Sequence, residues 1–317
     1  NQFCNLCEVN VSNLESQEDL NERVRAAAFI GTLQTSYTNF HYLRDIWQKT
    51  TEKEALLGIG MTGIGSGAVL NLDLTEVAEY AKDMNRLVAE QIGINPASRV
   101  TCVKPSGTTS CVLGTSSGIH AWHAPFYLRT LRFGKTEDVA KYLMRNHPEL
   151  CEDDVLRPTD TICVRFPIKA PEGSIFRTET ALDTLERVKK FAQEWIIPGH
   201  DNGANTHNVS ATISIDKNRM YDVPKNWVEA VGMEPVDEWW TVGSWMWRNK
   251  EFYNGISVLD FDGGTYVQAP FSDITEDEYN ERIKSLKTID LTNVKEDDDH
   301  VQFGQIASCA GGACAVE

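Results

Sequence analysis

The feature that most constrains the fold of this chain is a regular alternation between strand-like and helix-like apolar patterns. Within residues 209–215, Val, Ala and Ile alternate with Ser and Thr, which is the period of a strand with one buried face. Apolar residues at helical spacing run from residue 24 to about 47, from 77 to 88 and through 179–197. Such alternation is typical of sheets covered by helices, so we predict an α/β fold.

Boundary signals refine this prediction. Ser16 and Asp73 are expected to begin helices, Gly93 to end the second helix, and Pro198-Gly199 to end the third. The glycines at 58, 60, 63, 65 and 67 are expected to interrupt the chain with a tight turn. Further strands are predicted near residues 99–103, 128–133, 161–166 and 256–261, and further helices over residues 239–252 and 275–286.

Size and charge limit the classes of function. A chain of 317 residues with 41% apolar residues can bury one large or two medium cores. A net charge of -16 argues against nucleic-acid binding but permits a small anion held by backbone amides. No apolar run approaches the roughly 20 residues of a membrane span. No secretion signal is present, so we expect a cytoplasmic protein with reduced cysteines.

Two glycine-containing segments are candidate phosphate sites. Residues 58–63 have the spelling of a dinucleotide fingerprint, but a charged helix end precedes them instead of a strand, so a nicotinamide site is not expected. Residues 104–110 follow a predicted strand, and their small side chains let backbone N–H groups and hydroxyls converge on an anion. The alternative is a plain polar turn. The candidate phosphate-binding residues are Pro105, Ser106, Gly107, Thr108, Thr109 and Ser110.

The cysteines allow two interpretations. Cys309 and Cys314 lie near the end of an acidic tail of small residues. Such a tail is expected to be mobile, which favours a pair of thiols that carries electrons to a disulfide elsewhere. Cys4 and Cys7 could instead join them as four zinc ligands of an interaction module. The other cysteines (102, 111, 151 and 163) and the tryptophans of residues 239–247 are expected to pack in the interior, and His120 and His123 to make loop contacts.

Several segments together resemble one enzyme family. They are residues 2–6, 57–60, 103–110, 113–120, 205–210 and 263–270, followed by the tail cysteines. In this order they resemble the large catalytic subunit of ribonucleotide reductase over essentially the whole chain. The resemblance implies a ten-stranded α/β barrel made of two parallel five-stranded halves. It also implies thiyl-radical reduction of ribonucleotides to 2′-deoxyribonucleotides, with electrons from a cysteine pair that a C-terminal pair then resets.

The resemblance assigns roles to some residues. Cys4 matches the downstream member of the reducing dithiol, residues 105–110 match the substrate-phosphate loop, and Cys309 and Cys314 match the tail shuttle. The radical cysteine of the family lies in an Asn-x-Cys-x-Glu motif that is expected upstream of this chain, so an N-terminal complementing segment is an expected partner. Residues 1–290 are then the C-terminal portion of the barrel, and residues 291–317 a flexible redox tail. Cys7 receives no role.

The branch of the family follows from one position. Class I subunits carry two adjacent tyrosines near the C-terminal end of the barrel, whereas this chain has Tyr266-Val267. The resemblance is therefore closest to the adenosylcobalamin-dependent class II branch, and a class I subunit with a separate radical-generating protein is the alternative. The implied partners are a ribonucleoside di- or triphosphate and a thioredoxin- or glutaredoxin-type reductant. No resident metal ligand is assigned, and no nucleic acid or membrane is expected.

Overall fold

The computed structural model describes residues 1–224, 233–261 and 267–294, and it divides into two compact units. The first unit comprises Asn1–Trp122 and Pro171–Phe261. The second comprises His123–Ala170 and the described residues 267–294. Strands and helices are mixed along the chain, which confirms the α/β class. Within the described residues, no helix is both long enough and apolar enough to cross a membrane.

The elements follow one another in a mixed order. The strands are β1 (Asn5–Asn10), β2 (Leu57–Thr62), β3 (Phe126–Gly134), β4 (Cys151–Asp153), β5 (Thr161–Lys169), β6 (Thr212–Ile215), β7 (Met220–Pro224), β8 (Met233–Asp237), β9 (Ser257–Asp260) and β10 (Phe271–Asp273). The helices are α1 (Gln17–Thr35), α2 (Asp45–Glu54), α3 (Leu74–Ile92), α4 (Gly107–Leu113), α5 (Asp138–Asn146), α6 (Ala181–Phe191), α7 (Glu238–Arg248) and α8 (Glu276–Ser285).

Parallel pairing organises the first unit. β1 pairs with β2, and β2 is joined to residues 99–103 through a parallel bridge between Ile59 and Thr101. Val103 forms a parallel bridge with Val209, just before β6, and β6 pairs with β9. Five parallel segments of the described chain therefore lie side by side in chain order. Helices connect them, as crossover connections between parallel strands require.

One face of these segments is covered by helices. Leu57, Ile59 and Met61 of β2 are fully buried in a core shared with α1, α3 and α6. Gly31 of α1 lies directly against the side chains of Leu57 and Cys7. Because side chains alternate along a strand, the intervening residues point to the opposite face. We call that opposite face, with Leu6, Glu8, Gly58, Gly60, Cys102 and Lys104, the site face.

The ends of the helices follow their local sequence. Ser16 caps α1 by accepting the Asp19 N–H, and Asp73 caps α3 by accepting the Glu76 N–H. Gly93 ends α3 with a φ of 74°, a conformation that glycine adopts without strain. α6 continues into a π-helical turn at Ala192–Ile196, which brings the fully buried Trp195 against residues 99–103.

The second unit contains an antiparallel sheet. Its strand order is β10-β3-β5-β4, and β3 and β5 pair along their whole nine-residue lengths. A small separate core includes Leu143, Leu150 and Ile162. α8 begins with a capping box, in which Thr275 and Glu278 each accept the other's backbone N–H.

Several sequence expectations were wrong. Residues 57–62 form a strand rather than a glycine break, and the first helix ends at Thr35 instead of near Trp47. Among the tryptophans of α7, only Trp245 is buried, because α7 presents one face to the core. Cys102 and Cys163 are buried as expected, whereas Cys111 is exposed on α4.

Candidate functional site

Two thiols meet on the site face. A Cβ added at Gly58 would lie 3.0 Å from the Cys102 Sγ and 3.3 Å from the Cys4 Sγ, so both sulfurs converge above the same residue of β2. The absence of a side chain at Gly58 makes room for them. Cys102 is buried, and Cys4 keeps an exposed surface. Desolvation by the surrounding protein raises the pKa of Cys4 to about 11, an effect that the Arg99 charge opposes.

An imidazole faces the Cys4 thiol. The His207 Nε2 lies 3.8 Å from the Cys4 Sγ. The His207 Nδ1 lies 3.0 Å from the Thr101 carbonyl oxygen. A carbonyl oxygen only accepts hydrogen bonds, so Nδ1 carries the proton and, in the neutral ring, Nε2 presents its lone pair to the thiol. Burial lowers the pKa of His207, which keeps the ring neutral at pH 7.

A charged pair lies beside the thiols. The Lys104 Nζ is 2.5 Å from the Glu8 Oε2, and the Glu8 side chain is only 7% exposed. Burial raises the pKa of the Glu8 carboxyl, and the hydrogen bond and charge of Lys104 oppose that rise. Lys104 also immediately precedes the candidate phosphate loop. The arrangement therefore places a fixed positive charge at the entrance to that loop.

The predicted phosphate loop opens into α4. The Ser106 N–H donates to the Ser117 Oγ at 2.9 Å, and Ser110 N–H closes the first helical turn on the Ser106 carbonyl. The N–H groups that precede Ser110 in α4 have no carbonyl partner within a helix. A Cβ added at Gly107 would have no heavy atom within 4 Å, so the space beside its backbone is open. The loop can thus approach an anion closely.

A second loop, residues 115–120, lies against the carboxyl end of β2. Thr62 Oγ1 donates to the Ser116 carbonyl and accepts the Gly118 N–H, both at 3.0 Å. Among the described residues, the buried hydroxyls of Ser106, Thr115 and Ser116 have no hydrogen-bond partner. Buried polar groups are normally bonded, so unpaired hydroxyls in two adjoining loops favour a polar ligand there.

Comparison with known proteins identifies relatives of the chain. No protein-family model matches it. The adenosylcobalamin-dependent ribonucleoside-triphosphate reductase of Lactobacillus acidophilus is 24% identical, over 99% of this chain and 43% of its own length. The protein of that name from Euglena gracilis is also 24% identical, over 99% of this chain and 40% of its own. The chain is related to the adenosylcobalamin-dependent ribonucleotide reductases.

A solved structure agrees in fold. The crystal structure of a B12-dependent (class II) ribonucleotide reductase matches with a TM-score of 0.67 and 19% identity, over 89% of this chain and 40% of that chain. The resemblance stated from sequence motifs is thereby confirmed. The chain spans about two fifths of the length of these relatives.

The structure places some of the predicted site residues, and others lie outside the described residues. The structure brings Cys4 and residues 105–110 to the same unit, on segments separated by β2. Cys309 and Cys314 lie outside the described residues, so the shuttle assignment stays a prediction. Cys7 packs against Gly31 of α1 while Cys4 faces Gly58, so these two do not form a chelating pair. No three His, Cys, Asp or Glu side chains of the described residues group as metal ligands.

Sequence reasoning missed three features of this site. It gave His207 no role, treated Cys102 as ordinary packing, and did not connect Glu8 with Lys104. The strand alternation that includes Val209 places this segment in the sheet, but only its parallel pairing with residues 99–103 brings His207 to Cys4. A contact between residues 203 positions apart has no local sequence signal.

Proposed function

We propose that this chain takes part in the reduction of ribonucleotides to 2′-deoxyribonucleotides as a portion of an adenosylcobalamin-dependent ribonucleotide reductase. The main observation behind this proposal is that the Cys4 thiol lies on the same sheet face as Lys104, which leads into the candidate phosphate loop. The similarity to reductases over 99% of the chain supports it.

The proposed architecture is one half of a ten-stranded barrel. The five parallel segments of the first unit lie side by side in chain order with helices on one face, which supports this assignment. In the proposal, the site face lines the interior of the barrel. Residues 1–290 contribute to the barrel and residues 291–317 form the redox tail.

The substrate is proposed to bind through its phosphates. The N–H groups and hydroxyls of residues 105–110 would hold the phosphate oxygens, and the Lys104 charge would assist. The related proteins are named for ribonucleoside triphosphates, which favours a triphosphate over a diphosphate. The ribose would then lie toward Cys4, the proposed downstream member of the dithiol that reduces it.

The proposed cofactor is adenosylcobalamin, in keeping with the names of the relatives. When bound, it would supply the radical through its cobalt–carbon bond. Because the sequence contains no Asn-x-Cys-x-Glu motif, turnover is proposed to require a polypeptide that carries the radical cysteine.

The tail is proposed to reset the dithiol. Cys309 and Cys314 would attack the oxidised dithiol through a mixed disulfide and then pass the disulfide to a thioredoxin- or glutaredoxin-type partner. The surrounding residues are small or acidic, which favours an extended segment able to bring the two cysteines to the dithiol. A cytoplasmic location, where such reductants work, also stays a prediction.

The test compares reductants in the complemented enzyme. The chain alone, with adenosylcobalamin, dithiothreitol and the four nucleotides, is expected to show no turnover, and mixing with a polypeptide carrying the Asn-x-Cys-x-Glu motif is expected to restore it. Cys309→Ser with Cys314→Ser should abolish thioredoxin-driven turnover and retain dithiothreitol-driven turnover, whereas Cys4→Ser should lose both. Cys111→Ser, at an exposed thiol outside the site, is the control. Turnover by Cys4→Ser with either reductant would contradict the proposal.

A further inference from the structure

Cys4 and His207 form a thiol–imidazole pair, and a hydrogen bond to a third residue, Thr101, orients the imidazole ring. The 3.8 Å between Sγ and Nε2 is within hydrogen-bonding range for sulfur, whose radius exceeds that of oxygen. The hydrogen bond from Nδ1–H to the Thr101 carbonyl sets the ring orientation and leaves only Nε2 to accept a proton. We propose that His207 is the proton acceptor for the Cys4 thiol, an inference that rests on the proposed role of Cys4 in the reducing dithiol.

Thr101 holds the imidazole in place. Its hydroxyl donates to the Trp195 carbonyl at 2.6 Å, and the residue is 1% exposed. The carbonyl that accepts the hydrogen bond from the His207 Nδ1–H therefore belongs to a buried residue whose own side chain is hydrogen-bonded. An acceptor fixed in this way requires little reorganisation when the proton moves.

Burial favours a neutral starting state for both members of the pair. Desolvation raises the pKa of Cys4 to about 11 and lowers the pKa of His207, so thiol and imidazole face each other uncharged at pH 7. The Arg99 charge opposes the rise in the Cys4 pKa and adds to the lowering of the His207 pKa. His200 also adds to the lowering of the His207 pKa. The neighbouring Cys102 is also held as a thiol, because burial raises its pKa. A thiol that ionises so reluctantly needs a base to become a nucleophile.

The proposed step conserves protons and electrons. As the Cys4 Sγ attacks one sulfur of a disulfide, its S–H bond breaks, the S–H electron pair forms the new S–S bond, and the proton moves to the His207 Nε2. The electron pair of the old S–S bond leaves on the other sulfur as a thiolate. When a reducing dithiol later attacks the disulfide that contains Cys4, the S–S electron pair returns to the Cys4 Sγ. His207 then gives the proton back. The two electrons come from the dithiol, which leaves as a disulfide.

The test measures the reactivity of Cys4 in the chain itself, without nucleotide or cofactor. Iodoacetamide alkylation is followed from pH 5.5 to 9.5 in a Cys7→Ser background, and the Cys4 and Cys111 peptides are quantified by mass spectrometry. The Cys4 rate should rise to a plateau at neutral pH, where His207 is unprotonated, and rise again as the thiol ionises. A single rise that follows thiol ionisation alone would overturn the proposal.

Two variants separate proton acceptance from positioning. His207→Asn retains an N–H donor for the Thr101 carbonyl but lacks a base, and it should lower the Cys4 rate at pH 7.5 by about tenfold or more. The exposed Cys111 should stay within twofold, which makes it the internal reference. His207→Gln offers an uncharged acceptor near the sulfur and should be equally slow. A Cys4 rate within twofold of the parent in either variant overturns the proposal.

The outcome is independent of the reductase assay. A complemented enzyme that turns over while its Cys4 profile has no plateau would contradict only the role of His207. A clear plateau in a chain that never supports ribonucleotide reduction would contradict only the proposed function.

Discussion

Glu8 and Lys104 form an ion pair that crosses an intervening strand. Glu8 lies on β1 and Lys104 follows residues 99–103, with β2 between them. Gly60 of β2 permits the crossing, because a Cβ at that position would lie 3.0 Å from the Glu8 Oε2. The pair therefore ties the first strand to the start of the proposed phosphate loop.

Removing Lys104 should destabilise the chain in a pH-dependent way. Burial raises the pKa of Glu8 above its ordinary value of 4.5, so the folded state holds the proton more tightly than the unfolded state does. The stability that protonated Glu8 contributes is present below 4.5 and is lost as pH rises through the folded pKa. Lys104 limits that loss because its charge favours the carboxylate. Lys104→Met should thus cost little at low pH and about 1–3 kcal/mol of unfolding free energy at pH 8.

Urea denaturation at several pH values measures this effect. Lys141→Met is the matched control, since Lys141 is half-exposed and pairs with Asp138 one helical turn away. Its cost should stay below about 0.5 kcal/mol. A cost for Lys104→Met that does not change between pH 4.5 and pH 8 would show that Glu8 and Lys104 are not coupled.

Gly199 should not tolerate a side chain. A Cβ there would lie 2.5 Å from the Thr101 Cγ2 and 2.7 Å from the Thr101 Cβ, and Thr101 is held by its bond to the Trp195 carbonyl. Gly199→Ala is expected to lower the unfolding free energy by about 2–3 kcal/mol. Gly243→Ala, in open space within α7, should instead stabilise by about 0.5–1 kcal/mol. Equal denaturation midpoints for the two variants would refute this packing argument.

Gly107→Val should weaken nucleotide binding without unfolding the chain. The added side chain enters open space beside the loop, where it would block the close approach of phosphate oxygens. Loss of one or more charge-assisted hydrogen bonds predicts a KM at least about tenfold higher in the complemented enzyme. Cys111→Val, exposed on the same helix, is the control. An unchanged KM would favour a plain polar turn.

His120 should contribute to acid sensitivity. Its Nε2 accepts the Thr212 N–H at 2.9 Å, its Nδ1 lies 3.0 Å from the Ser117 carbonyl, and burial lowers its pKa below the ordinary 6.5. Between the two pKa values the unfolded state binds more protons, so stability falls as pH drops below 6.5. His120→Gln should reduce that slope by up to about 1.4 kcal/mol per pH unit. Thermal unfolding between pH 7.5 and 5 tests this, with the exposed His41→Gln expected to keep the parent slope.

Local signals predicted the helices well where capping chemistry was present. Both ends of α3 follow from Asp73 and Gly93, because a side-chain acceptor and a left-handed glycine each stop a helix by themselves. The end of α1 at Thr35 was missed. The apolar pattern continues to Trp47, but residues 36–44 are not helical and α2 supplies the later part of that pattern.

Where local signals failed, pairing between strands that are distant in sequence determined the structure. Gly58 and Gly60 predict a turn by propensity, yet pairing on both sides of β2 and the burial of Leu57, Ile59 and Met61 make a strand. The same pairing creates the candidate site, because glycines in the middle segment let groups on its two neighbours meet. The motif resemblance predicted Cys4 and the loop, but it contained nothing about which imidazole or ammonium group would face them.

The five parallel segments of the first unit lie next to one another in the same order as in the sequence, and therefore in the order of their synthesis. During synthesis, each new segment can add to the edge of the segments already present, without opening an existing pair. The apposition of Cys4 and His207 differs, since its two halves are made 203 residues apart. Cys4 is synthesised just before β1, the first of the five parallel segments, whereas His207 is synthesised just before the fourth. The thiol and the imidazole can therefore come together only after the fourth segment has been made. A chain whose synthesis has not yet reached His207 would thus hold Cys4 without its imidazole, and the acid–base pair would be among the later features of this unit to form.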